Sequence, residues 1–387
     1  MMTAVEKTTE MHALWQERFE RIKKAINLEP VDRPPVIYMG VAFAPRYMGM
    51  SIADFCEDPE AALNVTLAAM DKMGGWDGAN LPGGGRITPA LTSMWLSRLL
   101  VPGRDLPSDS LWQVKEAEVL TVEDYDTILN KGWSAFLQEY LPRVIDLHEF
   151  MDFVHWNMQN AQRRWELYRD KGYVIVCDAA VNVTIPFEYL CGGRSMTKFF
   201  FDLYRMPDKV QAVMDVILED LLAQIKAAPR PAGIGGTWLG GWRAASAMVA
   251  PKLWDRFVWP YYLKLVEALV DQGITPVLHW DQDWTRDLVR LQELPAKKCI
   301  LNPDGMTDVK KFKELVGDRM AMMGDVPASM LAAGTPDDVH AYVEDLIQTF
   351  GGTGLLVCPG CDAPINARPE NMQAIVDTVH SHDKVVS

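Results

Sequence analysis

Residues 321–358 read AMMGDVPASMLAAGTPDDVHAYVEDLIQTFGGTGLLVC, and this stretch decides the fold. Its two ends, Ala321–Gly324 and Leu355–Cys358, are short apolar runs of the kind that become buried strands. Between them Thr335-Pro336-Asp337 opens a helix, with a hydroxyl to cap the first free amides and a proline where no amide hydrogen is needed. The helix runs to Phe350 and is closed by Gly351-Gly352. Strand, helix, strand is the unit of a parallel sheet, because strands that run the same way need a crossover between them.

The same unit recurs outward from this stretch. Further candidate strands are Val36–Met39, Gly78–Leu81, Tyr173–Cys177, Gly233–Leu239, Thr275–His279 and Cys299–Asn302, each bounded by Gly, Pro, Asp or Asn. From Pro251 to Gln272, Leu253, Phe257, Tyr261, Leu265 and Leu269 return every four residues, as one face of a helix does. Eight buried strands alternating with helices predict an α/β chain closed into a single (β/α)8 TIM barrel over residues 1–387. A doubly wound open sheet is the rival. It is weakened because Gly83-Gly84-Gly85 follows the second strand rather than the first and does not match GxGxxG. Residues 1–30 read as an N-terminal helical extension. Residues 83–171 hold a turn at Pro102–Pro107, a candidate strand at Trp112–Leu120 and a largely helical Glu123–Asp170, and are expected to form a helical and hairpin insertion over the C-terminal mouth.

A net charge of −14 and a pI near 5.0 argue against a nucleic-acid partner, since no basic stripe interrupts the acidity. No apolar run approaches the roughly 20 residues of a membrane helix. The first residues are charged throughout and do not read as a signal peptide. Six scattered cysteines fit reduced thiols better than a disulfide framework. Cytoplasmic location is the expectation, with no membrane and no nucleic acid among the partners.

In this fold chemistry collects where the strands end. Those positions carry Asp178, Trp238, His279, Asp281, Asp304, Asp325 and Cys361. His279 and Asp281 stand two apart, so an extended backbone points both the same way. Cys361 lies just beyond the last strand, after Gly360. Converging on one point, His279, Asp281 and Cys361 would suit zinc with a fourth position open. The plainer reading is a hydrogen-bonded surface histidine beside a chance carboxylate. Cys358 falls inside its strand and reads as a core thiol. Asp178 and Asp325 are candidate catalytic carboxylates for acid–base work, beside the plainer reading that each caps a helix. Asp304, in Asn302-Pro303-Asp304-Gly305, reads as a turn former. Trp238, Trp242, Trp280 and Trp284 cluster at the ends of two adjacent strands and are expected to wall a flat substrate, where Arg243 would hold an anion. Bulk packing and a surface salt bridge are the alternatives.

Several stretches together carry a resemblance: RIKKAINLEPVDRPP at 21–35, IPFEYLCGGRSMTKFFFDLYR at 185–205, SAMVAPKLWDRFVWPYY at 246–262, and, within 302–374, GDRMAMMGDVPASML and CPGCDAPINARPENMQA. In order and spacing they resemble the uroporphyrinogen decarboxylase superfamily, which implies the barrel. Its porphyrinogen decarboxylases carry an N-terminal Arg-Gln-Ala-Gly-Arg motif that binds substrate carboxylates. Here Gly40-Val41-Ala42-Phe43-Ala44 follows the first strand instead. A second branch holds corrinoid-dependent methyltransferases with zinc on a His-x-Cys pair and a later Cys. His279 and Cys361 match that set, while Asp281 stands where Cys is expected. The resemblance therefore implies zinc at His279, Asp281 and Cys361.

Because a carboxylate makes the metal a harder Lewis acid, the resemblance further implies O-demethylation. A methyl group would pass from a small O-methyl (methoxylated aromatic) or N-methyl donor to a corrinoid (cobalamin) as cob(I)amide. The chain lacks Asp-x-His-x-x-Gly, so that corrinoid is expected on a partner corrinoid protein; a homodimer is left open. Alternatives are transfer from methylcorrinoid to a thiol or tetrahydrofolate, a decarboxylating lyase, and a non-catalytic corrinoid- or partner-binding chain.

Overall fold

The computed structural model describes residues 4–84 and 86–383, and ten strands form among them. In chain order they are β1 Ile37–Tyr38, β2 Gly78–Ala79, β3 Leu99–Leu100, β4 Gln113–Val114, β5 Val174–Ile175, β6 Gly236–Gly241, β7 Thr275–Trp280, β8 Ile300–Pro303, β9 Ala321–Val326 and β10 Leu355–Pro359. Eight are parallel and lie in the order β1-β2-β5 and β6-β7-β8-β9-β10. Backbone bonds join the two runs at both edges. The Gly236 amide donates to the Val176 carbonyl at 2.9 Å, and the Val357 amide donates to the Pro35 carbonyl at 2.8 Å beside a Val36–Val357 bridge. The ring is closed, and each of the eight candidate strands supplies one stave.

Closure makes both faces of every strand buried, which is why the strands read as near-continuous apolar runs. Val277, Ile300, Ala321, Met323, Leu356 and Cys358 fill the interior. Their neighbours Leu278, Leu301, Met322, Leu355 and Val357 face the surrounding helices. Two residues beyond Val277 and Ile300 the same interior phase brings His279 and Asn302, both buried, to the C-terminal end of the ring.

The helix at 335–351 forms as its ends dictate. Thr335 and Asp338 cap it reciprocally, and Gly351 ends it in a left-handed conformation. The periodic stretch 251–272 is two helices, Pro251–Phe257 and Trp259–Asp271. Pro260 has no amide hydrogen to continue the first. Of Trp112–Leu120 only β4 is extended, paired antiparallel with β3. The rest of the insertion is helical at Ile87–Trp95, Val122–Lys131, Trp133–Tyr140 and Leu147–Arg169. No helix among the described residues is long and apolar enough to cross a membrane.

At the opposite end of the ring the N-terminal helix Ala4–Ile26 is clamped by charge. Asp77, immediately before β2, is fully buried and accepts from Arg21 Nη1 at 3.1 Å, Arg33 Nη1 at 2.6 Å and Nη2 at 3.0 Å, and the Val36 amide at 2.8 Å.

Candidate active site

β7 ends in His279-Trp280-Asp281, and the two outer side chains turn to the interior of the mouth. His279 Nε2 lies 3.4 Å from Asp281 Oδ1. Cys361 enters from the turn after β10, three strands away, and the donor atoms of His279, Asp281 and Cys361 all fall within 4.8 Å of one another. Two neighbours hold that turn. Gly360 packs so closely on Asp304 that a Cβ there would stand 2.7 Å from the Asp304 carbonyl carbon, so only glycine fits. Asp362 accepts from the amides of Val41 at 2.5 Å and Ala42 at 3.0 Å, tying the turn to the chain just past β1.

The imidazole is held on its other edge and on its face. His279 Nδ1 lies 2.9 Å from Asn302 Oδ1. Asn302 Nδ2 donates to the Met323 carbonyl at 2.6 Å, and Asn80 Nδ2 donates to Asn302 Oδ1 at 3.1 Å. Trp238 stacks on the ring, 4.0 Å between centroids and 15° from parallel, and its Nε1 donates to Asn80 Oδ1 at 2.9 Å. Only Nε2 is left facing the other two donor atoms.

The electrostatics are those of an interdependent set. Burial opposes charge on His279, but Asp281 and Cys361 outweigh it and hold its pKa well above the usual imidazole value. Burial pushes Asp281 up, yet His279 prevails and keeps its carboxyl below its ordinary value. Burial raises the Cys361 thiol, with His279 opposing. Nitrogen, oxygen and sulfur are the donor types zinc takes, and its bonds of about 2.0–2.3 Å place tetrahedral ligand atoms roughly 3.3–3.8 Å apart, a range that holds the 3.4 Å between His279 and Asp281.

Around this centre the aromatic residues divide. Trp238 is half-buried on the His279 ring. Trp242 folds back over β6 so that a Cβ on Gly240 would meet its ring at 1.9 Å, and it meets Trp95 of the insertion edge-on at 5.9 Å. Arg243 leaves Nη1 buried without a hydrogen-bond partner. The segment bearing both is fixed by Glu188, fully buried, which accepts from the amides of Trp242, Arg243 and Ala244 at 2.9 Å each. Burial pushes Glu188 up to about 7, against the nearby charge of Arg243 and those bonds.

Trp280 and Trp284 correct the expectation of a four-tryptophan wall. Both are fully buried outside the ring, stacked at 4.2 Å and packed edge-on against Tyr262. Trp280 is one residue from His279 and so points to the other face of β7, where a substrate does not reach.

The remaining carboxylates are not among the three donor atoms, though Asp304 borders them closely enough to feel the charges of Asp281 and His279. Asp178 accepts from the Gly235 amide at 2.6 Å, and Asp325 accepts from the Tyr342 hydroxyl of the outer helix 336–350 at 2.9 Å. Neither caps the helix that follows it. Asp304 accepts from the Met306 amide at 3.0 Å, as a turn former does, and from the Gln282 amide at 2.8 Å. Asn80, Asn302, Asp362, Glu188 and Trp95 also shape the site and are not among the residues that the sequence pattern picks out. A signal existed for Asn302: an amide in interior phase within an apolar strand must find buried partners.

The chain matches the uroporphyrinogen decarboxylase (URO-D) family over residues 17–91 and 182–382. The stretch between them holds most of the insertion. Proteins named uroporphyrinogen decarboxylase from Geobacter metallireducens and Trichlorobacter lovleyi are each 26% identical, over 369 and 373 residues, covering 91% of this chain and 95% of theirs. Among solved structures, a methyltransferase from Methanosarcina mazei superposes with a TM-score of 0.67 at 17% identity, covering 94% of this chain and 98% of that one.

Proposed function

The chain belongs to the uroporphyrinogen decarboxylase family, and from that premise we propose that it is a zinc- and corrinoid-dependent methyltransferase of the demethylating kind. The observation that carries this is the convergence of His279 Nε2, Asp281 and Cys361 within 4.8 Å at the interior of the mouth. His279 would give a neutral nitrogen, Asp281 and Cys361 one negative charge each, so the set balances a divalent ion. Zinc bound there supplies a Lewis acid, made harder by a carboxylate in place of a second thiolate, for the charge that develops on a departing oxygen or nitrogen. Trp238 and Trp242 would offer an apolar surface to a small O-methyl or N-methyl donor, and Arg243 a cation for an anionic substituent. The methyl acceptor is the corrinoid of a separate protein docked at the mouth.

The names of the curated relatives favour a second reading, a decarboxylase. A porphyrinogen bearing four or more carboxylates needs several cations, and the segment after β1 here is Gly40-Val41-Ala42-Phe43-Ala44. Metal analysis separates the readings. By plasma mass spectrometry on protein purified without chelator, about one zinc per chain is expected, lost in Cys361→Ser. Methylation of an added corrinoid protein from methoxylated donors should follow the zinc. No metal in folded protein even after zinc is supplied, or carbon dioxide release from a porphyrinogen without a corrinoid protein, would sink the proposal.

A further inference from the structure

We propose that Asn302 is a positioning residue that dictates which nitrogen of His279 is free to bind metal. The inference rests on reading His279 as a metal ligand. The order of donors along the interior chain determines the outcome. An indole nitrogen can only donate, so Trp238 Nε1, at 2.9 Å, requires the oxygen of Asn80 to face it. Asn80 then presents its amide nitrogen to Asn302 at 3.1 Å, which requires the oxygen of Asn302 there. The other end of Asn302 agrees, because the Met323 carbonyl at 2.6 Å needs a donor. An oxygen facing His279 Nδ1 at 2.9 Å only accepts, so Nδ1 carries the proton and the lone pair of the neutral ring sits on Nε2. That is the nitrogen 3.4 Å from Asp281. With Trp238 parallel to the ring at 4.0 Å, rotation about the bond to the ring is blocked as well. Asn302 and Asn80 are both wholly buried, so water does not substitute for either partner.

The test compares Asn302→Leu, which removes the acceptor at similar volume, with Asn302→Asp, which keeps the acceptor and gives up the donor bonds to the barrel backbone. Zinc affinity is measured by competition with a chromophoric chelator. In parallel, the Nδ1–H proton of His279 is followed in protein labelled with ¹⁵N-histidine and assigned by its loss in His279→Gln. Outer partners of metal-bound histidines are commonly worth 10–100-fold in affinity. The expected result is a loss of about that size in Asn302→Leu with the Nδ1–H signal gone, while Asn302→Asp retains the signal and most of the affinity. Equal losses in both variants would assign the effect to the backbone bonds and overturn the inference. Affinity within twofold of the parent and an unchanged signal in Asn302→Leu would overturn it too. If the parent protein binds no zinc, the metal reading falls on its own. The signal still decides for Asn302, supporting it when present in the parent and Asn302→Asp alone, and overturning it otherwise. Should Asn302→Leu not fold, Asn302→Ser, too short to reach the ring, takes its place.

Discussion

Asp325 shows what a buried carboxylate costs when no cation accompanies it. It is 1% exposed and accepts from Tyr342, and burial pushes its pKa from the ordinary 3.8 up to about 7. Between those values the folded protein keeps a proton that the unfolded chain has released. The contribution to stability is therefore fully present below about pH 4 and is lost as the pH rises to and through 7. At 1.36 kcal/mol per unit this is on the order of 4 kcal/mol. An amide at this position would not titrate and would still accept from Tyr342. The urea midpoint of Asp325→Asn is thus expected to fall less between pH 5 and pH 8 than that of the parent, leaving the variant the more stable at pH 8. Parallel midpoint curves would refute this account. Residue type and strand parity made the three donor atoms legible: a histidine and a carboxylate two apart at one strand end, and a thiol beyond another. The same parity argument excludes Trp280 from the mouth, and the expectation of a tryptophan wall ignored it. Asn80 was not legible, because its partners come from strands far away in the sequence.

At the scale of elements, what places Cys361 is a turn rather than a strand. β10 ends at Pro359, and the thiol reaches the ring of His279 because Gly360 lies against Asp304 and Asp362 is clasped by two amides beyond β1. Burial pushes the Asp362 carboxyl up to about 6, and the amides of Val41 and Ala42 work against that shift. Asp362→Ala frees the turn while leaving all three donor residues in the chain. Zinc affinity is expected to fall by about tenfold or more, by chelator competition, with far-ultraviolet circular dichroism unchanged. Affinity equal to the parent's would show that the turn holds itself. The strands were legible because a closed parallel ring buries both faces and leaves an unmistakably apolar run. The break between Phe257 and Trp259 was foreshadowed by Pro260, but a four-residue period that continues across it hid the change of direction. The insertion was less legible still, since only two residues of its candidate strand pair.

For the whole molecule, the candidate site and the closure of the ring lie at opposite ends. The donor atoms sit where the strands end, while the clamp on Asp77 sits where β2 begins. Arg21, Arg33 and Arg18 surround that carboxylate, Arg18 Nε at 3.5 Å, and side-chain exposure is 6% for Arg21, 4% for Arg33 and none for Asp77. Arg21 also holds Asp32 through two nitrogens, at 2.9 and 2.7 Å, so the N-terminal helix, the entry to β1 and the entry to β2 share one charge network. Removing the central anion leaves Arg18 without its carboxylate and Arg21 and Arg33 with their outer partners, Asp32 and Asp383; breaking a buried pair typically costs 3–5 kcal/mol, more than the pair itself contributes relative to an apolar replacement. Asp77→Ala is accordingly expected to lose about that much in urea unfolding. Asp77→Asn should lose less, because an amide oxygen can still accept from Arg33 and the Val36 amide. Zinc affinity of the folded fraction should stay at the parent's value in both variants, since among the described residues no hydrogen bond or ion pair joins this network to His279 or Cys361. A loss below about 1 kcal/mol in Asp77→Ala would mean that water reaches the arginines and that the helix is held by its apolar face. A fall in zinc affinity would mean instead that the two ends of the ring are coupled, and the separation of closure from chemistry would not stand.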